Sequence, residues 1–215
     1  MKLWQQAGLL GCVLLLSACS FGPVKESPVS TYRLSATATM PVTGSKPQAA
    51  TLMVMPVTST RGFDSSDMLY QKKPYQLAAF VENAWVAPPA NMITPLLLQS
   101  LQQSNLFQAV ILGPAMNSTT YTLNAVVLGL YQDFTVDPSQ VVLSLNVSLG
   151  NNQTNQVVAD HTFTIRVKTT ANDPYAGVLA ANQALTEALT DVDEFISQTG
   201  AGTSASLVLA TTGAT

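Results

Sequence analysis

Three stretches of this chain alternate apolar and polar residues with a period of two, and they follow one another closely. Tyr121, Leu123, Ala125 and Val127 alternate with Thr122 and Asn124. Leu143, Leu145, Val147 and Leu149 alternate with Ser144, Asn146 and Ser148. His161, Phe163, Ile165 and Val167 alternate with Thr162, Thr164, Arg166 and Lys168. Successive side chains of a strand point to opposite faces, so each stretch has one face to bury and one to wet. Asp137-Pro138 and Gly150-Asn151-Asn152 separate them with turn residues. The pattern predicts an antiparallel meander with one solvated face.

Such a face needs a cover, and the sequence supplies two helices. Asn172-Asp173-Pro174 predicts a helix start, with Asp173 as N-cap and Pro174 at the first helical position. Val178, Ala181, Leu185, Ala188, Leu189, Val192, Phe195 and Ile196 then form a long apolar stripe, and Gly200 suits the residue after the helix. Residues 91–104 show helical spacing too, with Ile93, Leu96, Leu97 and Leu101 opposite Gln99, Gln102 and Gln103. Thr94-Pro95 suits an N-cap and first position there, or the helix begins a turn earlier.

Shorter strands are expected at Thr31 to Leu34, Leu52 to Val57 and Phe107 to Leu112, with Met68 to Gln71 and Tyr75 to Phe80 paired around Lys72-Lys73-Pro74. Leu52, Met53, Val54 and Met55 are apolar on both faces, as in a central strand. The fold class is therefore α+β, a mostly antiparallel sheet with two amphipathic helices packed on one face.

The N-terminus carries an address. Lys2, an apolar run from Leu9 to Leu16, and then Ser17-Ala18-Cys19 form the pattern of a bacterial lipoprotein signal. Diacylglyceryl transfer needs a thiol nucleophile, and the peptidase needs small side chains just before it. A spanning helix needs about 20 apolar residues, and Gln5, Gln6 and the polar step at Ser17 leave the run short. Residues 1–18 are expected to be removed and Cys19 to be lipidated, so that the membrane is reached through acyl chains. Residues 19–30, with Pro23 and Pro28, read as a tether of at most about 36 Å. The domain then spans 31–199. Residues 200–215, without a charge, are expected to be disordered, or to add a weak strand where a partner offers an edge.

Composition excludes several classes of function. Of the two cysteines, Cys12 lies in the segment to be removed, which leaves no disulfide, redox dithiol or thiolate metal site. Losing Lys2 leaves 8 Lys plus Arg against 12 Asp plus Glu, a net charge of −4. No basic stripe exists for nucleic acid, and the charge balance equally argues against a polybasic hold on anionic lipid, so attachment comes from the acyl chains. Charged residues make up 10% of the chain, against about 25% in ordinary domains. So bare a surface suits contact with partners or with further copies in a homo-oligomer.

Candidate chemistry is sparse. The single histidine, His161, lies on the apolar-facing register of its strand and reads as structural rather than as a ligand. Asp64 and Asp67 lack the further oxygen donors of a calcium loop and read as a solvated turn. Glu187, Asp191 and Glu194 share a helix face with Asp193 nearby, either as a hydrated surface or as a contact for a basic partner. No nucleophile elbow, Walker loop or dinucleotide fingerprint is present. No enzyme activity, cofactor or metal is expected.

The order of the pieces resembles a known family. It runs from the lipobox cysteine through Tyr32-Arg33-Leu34, the strand at Leu52 to Val57 and Gly62-Phe63-Asp64 to Tyr75-Gln76-Leu77. Trp85 with Pro88-Pro89, a helix ending at Asn105-Leu106-Phe107, the meander and an Ala-rich terminal helix follow. Over residues 15–199 this resembles the ABC-type transport auxiliary lipoproteins, the family of paraquat-inducible protein C. Ala84 departs from the Arg that members often carry before the tryptophan, and 201–215 has no counterpart. The resemblance implies an auxiliary or docking component of an ABC transporter system that moves lipid or hydrophobic compounds between membranes. Its partner would be a mammalian-cell-entry (MCE) domain protein, and its place the periplasmic face of the outer membrane. Ser20 agrees, since the inner-membrane retention signal is typically Asp at that position. A periplasmic lipid-binding carrier is the alternative reading.

Overall fold

The computed structural model describes residues 28–36, 48–115 and 118–199. The signal, Cys19, most of the tether, Gly200 and the tail lie outside them. The strands are β1 (Ser30–Tyr32), β2 (Gln48–Val54), β3 (Thr58–Ser59), β4 (Asp67–Lys73), β5 (Gln76–Trp85), β6 (Phe107–Leu112), β7 (Tyr121–Asp133), β8 (Gln140–Asn151) and β9 (Gln156–Lys168). The helices are α1 (Pro89–Gln103) and α2 (Pro174–Gln198).

The three alternating stretches form the expected meander, β7–β8–β9, with long antiparallel registers. Their polar face carries a cross-strand ladder: Ser144 Oγ lies 3.1 Å from Thr164 Oγ1, and Asn146 Nδ2 donates to Thr162 Oγ1 at 3.1 Å. The apolar face supplies Leu123, Leu145 and Leu149, all fully buried.

The free edge of β7 branches. Its first residues pair in parallel with β2, its middle with the two-residue β3, and its last residues with β4. Beyond β2 lies β6, also parallel, so β2, α1 and β6 form a crossover unit. Beyond β4 the antiparallel hairpin partner β5 follows, and then β1, parallel to β5. The result is an open α+β sheet that is mixed, since the meander and the β4–β5 hairpin are antiparallel while the N-terminal strands attach in parallel.

A bulge in β7 decides what faces the helices. Val127 pairs Leu145, but Gly129 pairs Ser144, so one extra residue enters at this point. The inward set is Leu123, Ala125 and Val127 before the bulge, then Leu130 and Gln132 after it. A shift of one residue exchanges the two faces of a strand, and here it turns Gln132 toward α2.

Both helices pack on the same face of the sheet: α2 lies across β8 and β9, and α1 across β6, touching α2. Ile93, Leu97 and Leu101 of α1 and Leu185, Leu189 and Ile196 of α2 are fully buried. Each such side chain contributes about 1.5–3 kcal/mol of transfer free energy. Asp173 caps α2, accepting from the Ala176 amide at 2.8 Å, with Pro174 next, as the sequence predicts. The start of α1 differs. It begins at Pro89, more than a turn before Thr94, because Pro88-Pro89 already fix a helix-entry backbone. Pro95 then sits inside the helix. The carbonyl it leaves unpaired belongs to Asn91, which is exposed to water, so the interruption is tolerated. Thr94, instead of capping, accepts from the Val57 amide at 2.9 Å and donates to the Ala90 carbonyl. No described helix is long and apolar enough to cross a membrane.

Candidate functional site

Each chemically active residue marked by the sequence has a definite place, and the structure does not gather them into one centre. His161 lies on the helix-facing register of β9, but at its rim, where it is exposed. Its ring meets Phe163 at 4.7 Å and Phe195 at 5.6 Å between centroids. With Asp191, Glu194 and Gln198 these aromatic residues line a surface depression of about 290 Å³ between β9 and the end of α2. Glu187 accepts from Gln183 and Glu194 from Gln198, at 2.9 and 3.0 Å. Burial, followed by the Glu194 and Glu187 charges, raises the Asp191 carboxyl above its ordinary range. This acidic, aromatic-rimmed hollow is the most chemically distinct surface on the helix side.

Asp64 and Asp67 behave as turn residues. Asp64 Oδ1 accepts from the Gly62 amide at 3.1 Å and Asp67 Oδ2 from Ser65 Oγ at 2.9 Å. Among the described residues no group of three His, Cys, Asp or Glu could hold a metal ion.

The burial of Asp193 and of Gln132 was not read from the sequence. Asp193 is buried between the helices, where Ser100 Oγ donates to its Oδ2 at 2.7 Å and Oδ1 has no hydrogen-bond partner among the described residues. Burial pushes its carboxyl up to about 6, and the Ser100 hydrogen bond acts in the opposite direction. The signal was present: Asp193 follows Leu189 by four residues and precedes Ile196 by three, which puts it on the apolar stripe. Gln132 Nε2 donates to Ser139 Oγ at 3.0 Å and to the Asp173 carbonyl at 3.2 Å, fastening the start of α2 to the meander. Ser139 Oγ in turn lies 2.7 Å from Thr169 Oγ1. Gly177 lets α2 approach, because a Cβ there would run into Gln132 Oε1. Under this contact lies a cavity of about 10 Å³, lined by Met68, Phe80, Trp85, Leu130 and Gln132 among others.

An open mixed sheet, helices on one face, and rims of aromatic and acidic residues define a module suited to surface contact. The chain belongs to the family of ABC-type transport auxiliary lipoprotein components, whose pattern matches residues 32–193. This is a family of transport components and not of enzymes. Protein XCC0632 from Xanthomonas campestris has a similar structure, with a TM-score of 0.71 at 23% identity over 80% of this chain and 96% of that one. A second solved structure, of an uncharacterised protein, aligns with a TM-score of 0.63 at 19% identity over 79% and 99% of the two chains. Both likenesses concern the fold. No curated protein matches the chain.

Proposed function

We propose that this protein is the lipid-anchored docking component of an MCE-type ABC system that moves lipid or another hydrophobic compound between membranes. In this reading residues 1–18 are removed, Cys19 is lipidated, and Ser20 lets the protein pass to the periplasmic face of the outer membrane. Residues 31–199 then form the domain that meets the MCE-domain partner. The observation that carries it is the family match over residues 32–193 directly behind Leu16-Ser17-Ala18-Cys19. The outer edge of β9, which among the described residues pairs with β8 alone, and the low proportion of charged residues support a role in contact. The same features accommodate a homo-oligomer, which light scattering of the purified domain measures.

The carrier alternative gains nothing from the hollow lined by Met68, Phe80 and Gln132. This hollow beneath Gly177, about 10 Å³, is of the size that holds one water and offers no room for an acyl chain. Two experiments test the docking reading. Mass spectrometry of the mature protein should show a diacylglyceryl-modified Cys19, and Cys19→Ala should release the chain from the outer-membrane fraction. Cross-linking in cells should capture an MCE-domain protein. A lipidated chain that captures none, and that binds stoichiometric phospholipid in native mass spectrometry, would favour the carrier.

A further inference from the structure

We infer that the tip of the β4–β5 hairpin, Lys72 to Leu77, is a membrane-contact element that seats the domain end-on upon the phospholipid headgroups. The inference rests on the lipidation of Cys19 proposed above, and it concerns orientation, which a lipid tether alone leaves free.

Four observations converge on this tip. The first is its composition and shape. β4 and β5 close through Pro74 and Tyr75, with Lys73 paired to Gln76. Tyr75 adopts φ 66°, a backbone conformation that turns ordinarily give to Gly or Asn. Its side chain is 103% exposed, and Leu77 and Val81 behind it are 43% and 90% exposed. A tyrosine held in an unfavourable turn with its ring in water, between two lysines and a leucine, has the amphipathic character of a membrane-interface residue.

The second is rigidity. Gln71 pairs with Asp133 of β7, and the Phe134 amide donates to the Gln71 carbonyl at 2.8 Å. The Tyr70 and Phe80 rings lie 4.5 Å apart, and each meets Phe134. The hairpin is braced up to Gln71 and projects from there.

Third, charge is divided along the molecule. Gln71, Asp133, Gln140 and Lys168 form one register row across β4, β7, β8 and β9, so Lys168 sits at the same end as Lys72 and Lys73. Arg166 lies two residues before Lys168, and three carboxylates, Asp133, Asp137 and Asp173, keep their charge at this end, so it is close to neutral. Asp133 accepts from Thr135 and Gln140, Asp137 from Asn172, and Asp173 from the start of α2. Because α2 runs back along β9, from Asp173 near Thr169 to Phe195 against His161, the opposite end carries Asp191 and Glu194, with Asp160 of β9. A phosphate-rich surface repels the acidic end and admits the near-neutral end, where Lys72 and Lys73 flank the projecting turn.

The fourth is the anchor's direction. β1 runs parallel to β5, with Ser30 beside Asn83, so the N-terminal end of β1 faces the tip end of β5. From the level of Glu82 to Tyr75 is about 23 Å along the strand, and the chain from Cys19 to Val29 can span at most about 36 Å. Acyl chains on Cys19 can therefore lie in the plane that the tip would touch.

The test uses the mature lipidated chain in phosphatidylethanolamine–phosphatidylglycerol vesicles, with and without brominated acyl chains. Tyr75→Trp and, as a second variant, Leu77→Trp place an indole at the tip, while Trp85 is buried and supplies a constant background. The added emission should shift to the blue and be quenched by brominated lipid. Val157→Trp, at the opposite end of the sheet, should stay unquenched. Adding Lys72→Gln and Lys73→Gln to Tyr75→Trp should weaken the quenching while co-flotation persists. A chain that co-floats with both tip indoles unquenched, or with Val157→Trp quenched equally, overturns the orientation and leaves the anchor standing. A chain that fails to co-float overturns the anchor and the orientation with it.

Discussion

Ser100 Oγ on α1 donates to Asp193 Oδ2 on α2 at 2.7 Å, and this buried hydrogen bond joins the two helices that cover the sheet. It ties a helix pair otherwise packed through apolar side chains to one ionisable group. The carboxyl titrates near 6 when folded and near 3.8 as an unperturbed side chain. The folded state thus holds the proton more tightly than the unfolded one. Stability from this group is full below about pH 4 and is lost as the pH rises through about 6, a total of about 3 kcal/mol. Urea unfolding should show the wild type losing stability relative to Asp193→Asn across this window. Parallel pH profiles for the two proteins would contradict the assignment.

Asp173 holds the first turn of α2. Asp173→Ala should lower stability by about 1 kcal/mol, while Asp173→Asn, which keeps an accepting oxygen, should lose only part of that. Thermal unfolding of the three proteins decides it, and equal losses for Ala and Asn would point to charge rather than capping.

Gly177 and Gln132 are coupled by contact. Gly177→Ala should cost about 1–3 kcal/mol through overpacking against the Gln132 amide. Much of that cost should vanish in a Gln132→Ala background, since the obstructing oxygen is gone. A double-mutant cycle measures the coupling, and strictly additive losses would place the strain elsewhere.

Leu97 and Leu189, each fully buried between helix and sheet, carry the core. Truncation of either to Ala should cost about 2–5 kcal/mol. Denaturant midpoints check this, and a smaller loss would mean that the helix layer collapses readily into the space.

Glu187, Asp191 and Glu194 place like charges near the end of α2, which opposes the helix dipole by a few tenths of a kcal/mol each. Reversal of Glu187 and Asp191 to Lys should therefore leave the domain no less stable, while weakening co-purification of a partner that presents a basic surface. Unchanged recovery of that partner would reduce the acidic face to a hydrated surface.

The legibility of this fold follows the range of the forces involved. The β7, β8 and β9 cores and the Asp173-Pro174 start of α2 are written in local periodicity and capping chemistry, and they stand where the sequence puts them. The β3 pairing and the parallel contacts of β2, β4 and β6 were not legible, because no local pattern names a strand's distant neighbour. The α1 start was blurred by two competing proline signals, at Pro89 and Pro95. Gln132 was hidden by the β7 bulge, which reverses the alternation halfway along the strand. His161 was correctly registered, but its position at the rim of β9 depends on where α2 ends.

By itself the sequence determined the α+β class, the meander, the capped terminal helix and the scarcity of catalytic chemistry, because each depends on residues close together in the chain. Tertiary structure alone decided which strands share β7, that Asp193 is buried against Ser100, and that Lys72, Lys73 and Lys168 stand at one end while Asp191 and Glu194 stand at the other. Those relationships join residues tens of positions apart, and only the packing of helices on sheet fixes them.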